Sequence, residues 1–335
     1  MENELLNKIY SKKLYDLGDT INVKYSGIYS SIGDQSIINK YIHDQFTTNA
    51  TQYKQKYENI EYFKWLLSNA FARIDKENDH YLKKIYERSV IFDVGSGFGN
   101  TIVPLLEICS DSLIIASDLS VDLLYLLNKN IDKKNRNHLI LLQENAEELN
   151  FNPDSVDLII GSAVLHHLFS PHETIRKVKT ILKNGGYAIF FEPFENGCMF
   201  VSLIFDIILK DLRSRSIPKE TISFMHGIQN EYNLRKGTDK SGPIYRELDD
   251  KWLFTIKYFQ DLSDKCGFSK CMIYPIHDTD NQFENQIKVL FQIGLGKSNG
   301  ALPDWAWDTI RALDSMFTSD MKNDLLIEGC IILKK

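Results

Sequence analysis

IFDVGSGFGN, residues 91–100, ends a short apolar run with a carboxylate and then places a glycine at every second position. Gly95, Gly97 and Gly99 either supply backbone angles that only glycine tolerates, or they let a ligand lie against the main chain. Helix-type sequence follows, with Asn100 as a candidate cap, so the pattern predicts a strand, a glycine turn and a helix that together cradle a nucleotide. A tight turn without a ligand is the alternative that the glycines by themselves leave open.

From residue 89 onward, apolar β-branched runs alternate with helix-type sequence. The predicted strands are 90–92, 113–116, 139–142, 156–160, 187–191, 270–276 and 325–333, and the predicted helices among the first five are 101–108, 121–131 and 171–182. Buried strands separated by helices predict a doubly wound, Rossmann-like α/β sheet of seven strands, of which the last is antiparallel. Ligands of such sheets bind beyond the carboxyl ends of the parallel strands.

The remaining sequence divides into segments around this sheet. We expect a helical N-terminal cap, a cofactor-binding core, a lid or substrate insert after the fifth strand, and a closing part with a helical insert after the sixth. These segments are residues 1–88, 89–195, 196–248 and 249–335, with the last insert at about 282–322. Residues 194–248 are expected to be largely irregular. Two inserts and a cap favour a closed pocket, which suits a small-molecule acceptor.

Composition and charge argue against several classes of function. The 335-residue chain is 43% hydrophobic and 25% charged, which is typical of a folded protein. Its net charge of −6 argues against nucleic acid as a partner, since nucleic-acid binding requires a basic face. Five scattered cysteines without a C-x-x-C motif favour reduced thiols, a cytoplasmic location and no metal site.

The longest apolar run, residues 198–209, is interrupted by Asp206 and is shorter than the roughly 20 residues that span a bilayer. We therefore expect no transmembrane segment and a buried or lid helix in this region. Because basic residues follow the run, contact of residues 198–215 with a membrane surface is the alternative.

A second carboxylate indicates which class of ligand the sequence would bind. Asp118 follows the second strand, 23 residues beyond Gly95, about where a carboxylate binds the ribose hydroxyls of an adenine nucleoside. The Gly-x-Gly-x-Gly spacing differs from the dinucleotide pattern, and Asp93 in front of it would repel a pyrophosphate but suit a cationic amino group. The ligand implied has an adenosine end and a positively charged end, without phosphate.

Five blocks of sequence, taken in order, resemble the class I S-adenosylmethionine-dependent methyltransferases. They are DVGSGFGN, SDLS, QENAEEL, SVDLIIGSAVLHHL and LKNGGYAIFFEP, within about residues 89–195. The resemblance is to the small-molecule, type 11-like branch that includes quinone, sterol and sugar methyltransferases. It implies S-adenosylmethionine as the cofactor and S-adenosylhomocysteine as its product.

The resemblance also implies roles for individual residues. Asp93, Gly95 and Gly97 would meet the methionine portion of the cofactor, and Gly99 would open the following helix. Asp118 would hold the ribose, and Leu119 would lie against the adenine. Asn145, followed by Ala146, stands where the family usually carries an acidic acceptor for the adenine amino group. Its side-chain carbonyl can still accept that bond. Ser162 and Ala163 would border the methionine end.

Methyl transfer depends mainly on positioning the acceptor, and a base adds to the rate when the acceptor is a hydroxyl. The candidate bases are His166 and His167 after the fourth strand and Glu192 after the fifth, each with a structural role as the alternative. We expect O-methylation of a sugar or secondary metabolite. N- or C-methylation of a small or lipid-like metabolite, and a regulatory protein that binds the cofactor without catalysis, stay open.

Three aromatic residues before the sheet, Tyr25, Tyr29 and Tyr53, could have either a functional or a structural role. They could close over the cofactor or the acceptor. A helical cap packed on the sheet explains them equally well, and we favour this packing role.

Overall fold

The structure, a computed structural model, describes residues 6, 8–32, 50–77, 81, 85, 89–276 and 279–335. Its strands are β1 (Tyr15–Asp16), β2 (Ile28–Ser30), β3 (Val90–Val94), β4 (Leu113–Asp118), β5 (Leu139–Gln143), β6 (Val156–Ser162), β7 (Leu182–Pro193), β8 (Lys270–Pro275) and β9 (Glu328–Lys334). They form one sheet in the order β1-β2-β5-β4-β3-β6-β7-β9-β8. All seven predicted strands are present, so the predicted α/β sheet is confirmed.

The central strand β3 shows why the apolar runs fold as they do. All five of its residues are buried, and it pairs in parallel with β4 and β6, with Phe92 opposite Ile115 on one side and Ile159 on the other. A strand covered on both faces carries a continuous apolar run instead of an alternating one. That run is the signal from which the sheet was predicted.

The last strand runs antiparallel to its neighbours, as predicted. Gly185 N donates to Lys335 O at 3.3 Å, and Lys335 N donates to Gly186 O at 3.0 Å, which pairs the start of β7 with the end of β9. Ser269 N in turn donates to Lys334 O at 2.8 Å, which pairs the start of β8 with the same end of β9.

The helices among the described residues surround and follow this sheet. They are α1 (Leu17–Thr20), α2 (Ala50–Tyr57), α3 (Ile60–Glu77), α4 (Ile102–Ile108), α5 (Val121–Asn130), α6 (Pro171–Ile181), α7 (Glu195–Lys210), α8 (Lys219–Arg235), α9 (Ile256–Cys266), α10 (Gln282–Leu295), α11 (Asp304–Asp314) and α12 (Ser319–Asp324). The three helices expected among the first five strands are α4, α5 and α6.

The N-terminal region is not purely helical, which corrects the expectation of a helical cap. The short strand β2 extends the sheet by pairing in parallel with β5, with Tyr29 opposite Leu142, and β1 adds antiparallel to β2. Ile28 and Ser30 are fully buried on this edge. Strands of two and three residues are too short to show an alternating pattern in the sequence, which explains why they were missed.

Residues 194–248, which were expected to be irregular, are largely helical. They contain α7, α8 and two short 3₁₀ turns at Leu212–Ser216 and Pro243–Arg246. On α8 the structure buries only Thr221 and Met225. A helix with so small a buried face shows little of the 3.6-residue periodicity from which helices are recognised.

The chain divides into two compact units. The first comprises Met1–Phe190, Leu262–Met272 and Ile332–Lys335, and the second comprises Phe191–Asp261 and Ile273–Ile331. The functional roles expected of the four sequence segments stay predictions.

In the second unit, α7 contains the apolar run at 198–209 and buries one side of it. Ile204, Phe205 and Ile208 are fully buried, whereas Met199 and Leu203 on another side are about half exposed. This agrees with the expected buried helix, and membrane-surface contact stays a prediction. Among the described residues, no helix combines the length and the apolar character needed to cross a membrane.

Candidate functional site

Four parallel strands of the first unit end at one edge of the sheet, where most of the predicted site residues lie. β3, β4, β5 and β6 run parallel, and they end at Val94, Asp118, Gln143 and Ser162. The carboxyl ends of parallel strands share an edge, and ligands of open α/β sheets bind there. The turns that follow these four strands form the candidate site.

The three glycines of the turn after β3 all have positive φ angles, but they differ in what lies beside them. A Cβ on Gly95 would lie 2.7 Å from Val164 Cγ2, and a Cβ on Gly99 would overlap Leu127 Cδ1. A Cβ on Gly97 would meet no atom of the described residues within 4 Å. Gly95 and Gly99 therefore serve packing within the protein. Of the three, only Gly97 has open space beside it in the described part of the chain, as a ligand against the main chain would require.

Asp93, at the end of β3, is a fully buried carboxylate with one unused oxygen. Its Oδ2 accepts a hydrogen bond from the Thr101 hydroxyl at the start of α4. Its Oδ1 has no hydrogen-bond partner among the described residues. Burial raises the pKa of Asp93 to about 7, the Thr101 bond opposes the rise, and the charge of Asp118 adds to it. Such an oxygen fits a cationic ligand group, which would partner it and favour its ionised form.

Asp118, at the end of β4, joins the glycine turn to the turn that follows β4. Its Oδ2 accepts from Gly97 N at 2.9 Å and its Oδ1 accepts from Ser120 N at 2.8 Å. Burial raises the pKa of Asp118, while these backbone bonds and the nearby charge of His167 oppose the rise. Each carboxylate oxygen can accept a further bond, so ribose hydroxyls remain compatible with this position. Leu119 follows and is partly exposed.

Asn145 is the second residue of the loop after β5, and its side-chain carbonyl already accepts a hydrogen bond within the protein. It accepts from Glu147 N at 3.0 Å, which closes a local turn. The loop is fastened to α6, because Thr174 Oγ1 donates to Ala146 O at 3.1 Å and Ser170 N donates to Glu147 Oε1 at 2.6 Å. The loop therefore has a fixed shape, and a ligand amino group would share the Asn145 oxygen with the protein.

Glu144 is a site-adjacent residue that sequence reasoning missed. Its Oε1 accepts three hydrogen bonds, from Tyr10 OH at 2.8 Å, Asn150 N at 2.7 Å and Asn150 Nδ2 at 3.0 Å. The side chain is buried, and burial raises the pKa of its carboxyl group. No sequence signal indicates this contact, because Tyr10 lies 134 positions away.

The turn after β6 brings the two histidines to the same edge. Ala163 adopts the left-handed conformation at φ +53°, which is strained for a residue with a side chain. Val164 then packs against Gly95, and the 3₁₀ turn Leu165–His167 follows. The rings of His166 and His167 lie 4.1 Å apart, with His166 buried and His167 partly exposed.

The first unit thus brings together most of the predicted site residues, namely Asp93, Gly95, Gly97, Gly99, Asp118, Leu119, Asn145, Ala146, Ser162, His166 and His167. Glu192 belongs to the second unit, where it is buried on β7.

Asn100 has a different role from the one predicted. It does not cap α4, whose first turn receives no side-chain hydrogen bond. Instead Asn100 Oδ1 accepts from Asn59 N at 3.1 Å, and its Nδ2 donates to Tyr57 O at 2.9 Å. The glycine turn is thereby tied to the link between α2 and α3. The packing role of Tyr25 is confirmed, since Tyr25 is buried and donates to Asp122 Oδ1 at 2.8 Å.

Comparison with known families supports the chemistry indicated by this edge. A family described as "Methyltransferase domain" matches residues 92–190, which span β3 to β7 and the whole candidate edge. This segment is a class I methyltransferase domain.

Curated relatives match parts of this chain over parts of their own length. A malonyl-[acyl-carrier protein] O-methyltransferase of Marinomonas sp. is 26% identical over 141 residues, which are 38% of this chain and 52% of that protein. A polyketide synthase-nonribosomal peptide synthetase of Aspergillus clavatus is 42% identical over 64 residues, 19% of this chain and 2% of that protein. The chain spans about half or less of the length of these relatives.

Solved structures similar to the chain include further methyltransferases. Phosphoethanolamine N-methyltransferase 2 of Haemonchus contortus has a TM-score of 0.48 and 11% identity, covering 89% of this chain and 60% of that chain. Geranyl diphosphate C-methyltransferase of Streptomyces coelicolor has a TM-score of 0.45 and 10% identity, covering 78% and 76%.

Proposed function

We propose that this protein binds S-adenosylmethionine at the carboxyl edge of β3 to β6 and transfers its methyl group to a small-molecule acceptor. The observation that carries the proposal is the buried Oδ1 of Asp93, which has no hydrogen-bond partner among the described residues and directly precedes the turn at Gly97. A ligand that pairs a cationic amino group with an adenosine satisfies both features. When bound, the cofactor supplies a sulfonium-activated methyl group.

The residues of this edge would hold such a cofactor in separate places. Asp93 Oδ1 would accept from its amino group, and the carboxylate of Asp118 would accept from the ribose hydroxyls while keeping its bonds to Gly97 N and Ser120 N. The absence of a side chain at Gly97 would allow close approach to the main chain. Asn145 and Ala146 would meet the adenine.

For the acceptor, we propose a hydroxyl or other oxygen nucleophile. Two features support this proposal. His166 and His167 lie on the turn after β6, next to Val164, which packs on the glycine turn, so either imidazole could remove the acceptor's proton. In addition, the Marinomonas relative is named as an O-methyltransferase. The net charge of −6 supports a small acceptor rather than nucleic acid.

Turnover tests the proposal. The purified protein is incubated with S-adenosylmethionine and a panel of hydroxylated sugars, phenols and carboxylic acids, and S-adenosylhomocysteine release is measured. We expect O-methylated product, and we expect His166→Asn to lower kcat by about 10²–10⁴-fold for a hydroxyl acceptor.

Other results would contradict parts of this function. A methyl group found on carbon or nitrogen would overturn the oxygen acceptor. Unchanged kcat in His166→Asn would make His166 a packing residue. Cofactor binding without turnover on any acceptor would favour a regulatory protein that binds the cofactor without catalysis.

A further inference from the structure

The N-terminal segment of residues 8–12 is hydrogen-bonded to the loop that follows β5. Ser11 N donates to Asn150 O at 2.8 Å, and Asn152 N donates to Ile9 O at 2.8 Å. These bonds flank an antiparallel bridge between Tyr10 and Phe151, whose rings also contact edge to face at 5.1 Å. A stretch from the very start of the described chain is thus paired with the loop that begins at Glu144.

At the centre of this contact, the side chain of Glu144 accepts hydrogen bonds from the N-terminal segment and from the end of the loop. Its Oε1 accepts from Tyr10 OH and from the backbone and side-chain nitrogens of Asn150, at 2.7 to 3.0 Å. Its own N donates to Asp118 O at 3.1 Å. Tyr10 and Glu144 are 3% and 4% exposed, so water does not compete for these bonds. One carboxylate therefore fixes the first and last residues of the loop at 144–150.

The loop needs such fixing, because its backbone is strained. Leu149, directly before Asn150, has a φ of +31°, a conformation that residues with a side chain rarely adopt. Backbone strain of this kind persists only where the surroundings hold it. The two bonds from Asn150 to Glu144 hold the residue next to the strained one.

We propose that Tyr10 and Glu144 are positioning residues for the cofactor, acting through the loop at 144–150. Resting on the proposed function, the inference is that this contact keeps Asn145 and Ala146 where they meet the adenine amino group. Tyr10 lies outside the segment at 92–190 that matches the methyltransferase family.

Substitution of Tyr10 tests the proposal with two ligands. Tyr10→Phe removes one hydrogen bond to a carboxylate and keeps the ring packed on Phe151. We expect S-adenosylhomocysteine to bind about threefold to tenfold more weakly, consistent with the loss of one such bond. S-inosylhomocysteine lacks the adenine amino group, so its Kd should change by less than about twofold. A variant that merely destabilises the fold would weaken both ligands alike.

A matched control uses another buried tyrosine of the first unit. Tyr81 OH donates to Asp157 O at 3.0 Å, next to the start of β6 and away from its carboxyl end. Tyr81→Phe should leave the Kd of both ligands unchanged. Equal loss for both ligands in Tyr10→Phe, or no loss for either, would overturn the positioning role while wild-type binding upholds the cofactor site. If the wild-type protein binds neither ligand, the proposed function fails and this inference fails with it.

Discussion

At the scale of single residues, Asp93 is the group whose environment says most about the ligand. It is fully buried, its Oδ1 has no partner in the described part of the chain, and burial raises its pKa to about 7. Because the folded protein binds this proton more tightly than the unfolded chain, the unliganded protein loses stability as pH rises from about 4 towards 7. A cationic amino group beside Oδ1 would instead favour the ionised form of Asp93 and so lower its pKa.

This residue therefore predicts a pH dependence of binding. Since the complex should contain ionised Asp93, affinity for S-adenosylhomocysteine should rise with pH up to about 7 and then level off. Asp93→Asn should bind weakly and lose this dependence. Calorimetric titrations between pH 5.5 and 8, in buffers of different ionisation enthalpy, measure both the Kd and the proton released. A wild-type affinity that is flat across pH 7 would contradict the role of Asp93.

A candidate site residue could be recognised from the sequence where it belongs to a motif of adjacent residues, as Asp93 and the three glycines do. The sequence contained no sign of which glycines pack against other residues, because the groups that fill the space at Gly95 and Gly99 are Val164 and Leu127, which are distant in the chain. The bond from Tyr10 to Glu144 was unpredictable for the same reason.

At the scale of elements, the glycine turn joins β3 to α4 and shapes the site. Gly95 and Gly97 both have positive φ angles, +70° and +53°, so alanine carries similar backbone strain at either position. They differ in what the new Cβ would meet: at Gly95 it would lie 2.7 Å from Val164, whereas at Gly97 no described residue lies within 4 Å.

The pair of variants separates folding from binding. Gly97→Ala should lower Tm modestly, because the left-handed conformation costs a residue with a side chain roughly 1–2 kcal/mol of folding free energy. It should also weaken S-adenosylhomocysteine binding by about tenfold or more. Gly95→Ala should lower Tm further, because its Cβ also displaces Val164 and the histidine turn behind it. Thermal denaturation and calorimetry on both variants measure the two effects. Wild-type affinity in Gly97→Ala would show that no ligand lies against this turn.

Elements were predictable in proportion to their burial and length. The fully buried strand β3 has a continuous apolar run and was found, although its predicted end falls two residues short of the observed one. The short strands β1 and β2 were missed because two or three residues are too few to show the alternating hydrophobic pattern of a strand. α8 was missed because it buries only two residues.

At the scale of the whole molecule, one domain type organises the cofactor edge. The segment at 92–190 matches the methyltransferase domain and supplies all four turns of the candidate site. Its N-terminal flank adds β1, β2 and the contact at Tyr10, all within the first unit. The second unit, which holds α7, α8 and α10 to α12, lies outside the matched segment. Its sequence therefore offered the least guidance.

The central claim is that the edge formed by Asp93, Gly97 and Asp118 binds S-adenosylmethionine. Calorimetric titration of the wild-type protein and of Asp118→Ala with S-adenosylmethionine and S-adenosylhomocysteine tests it most directly, with thermal denaturation to show that the variant folds. Saturable binding of both ligands to the wild type, weakened about tenfold or more in a folded Asp118→Ala, is the predicted result. Absence of binding to the wild type, or equal affinity in Asp118→Ala, would contradict the claim.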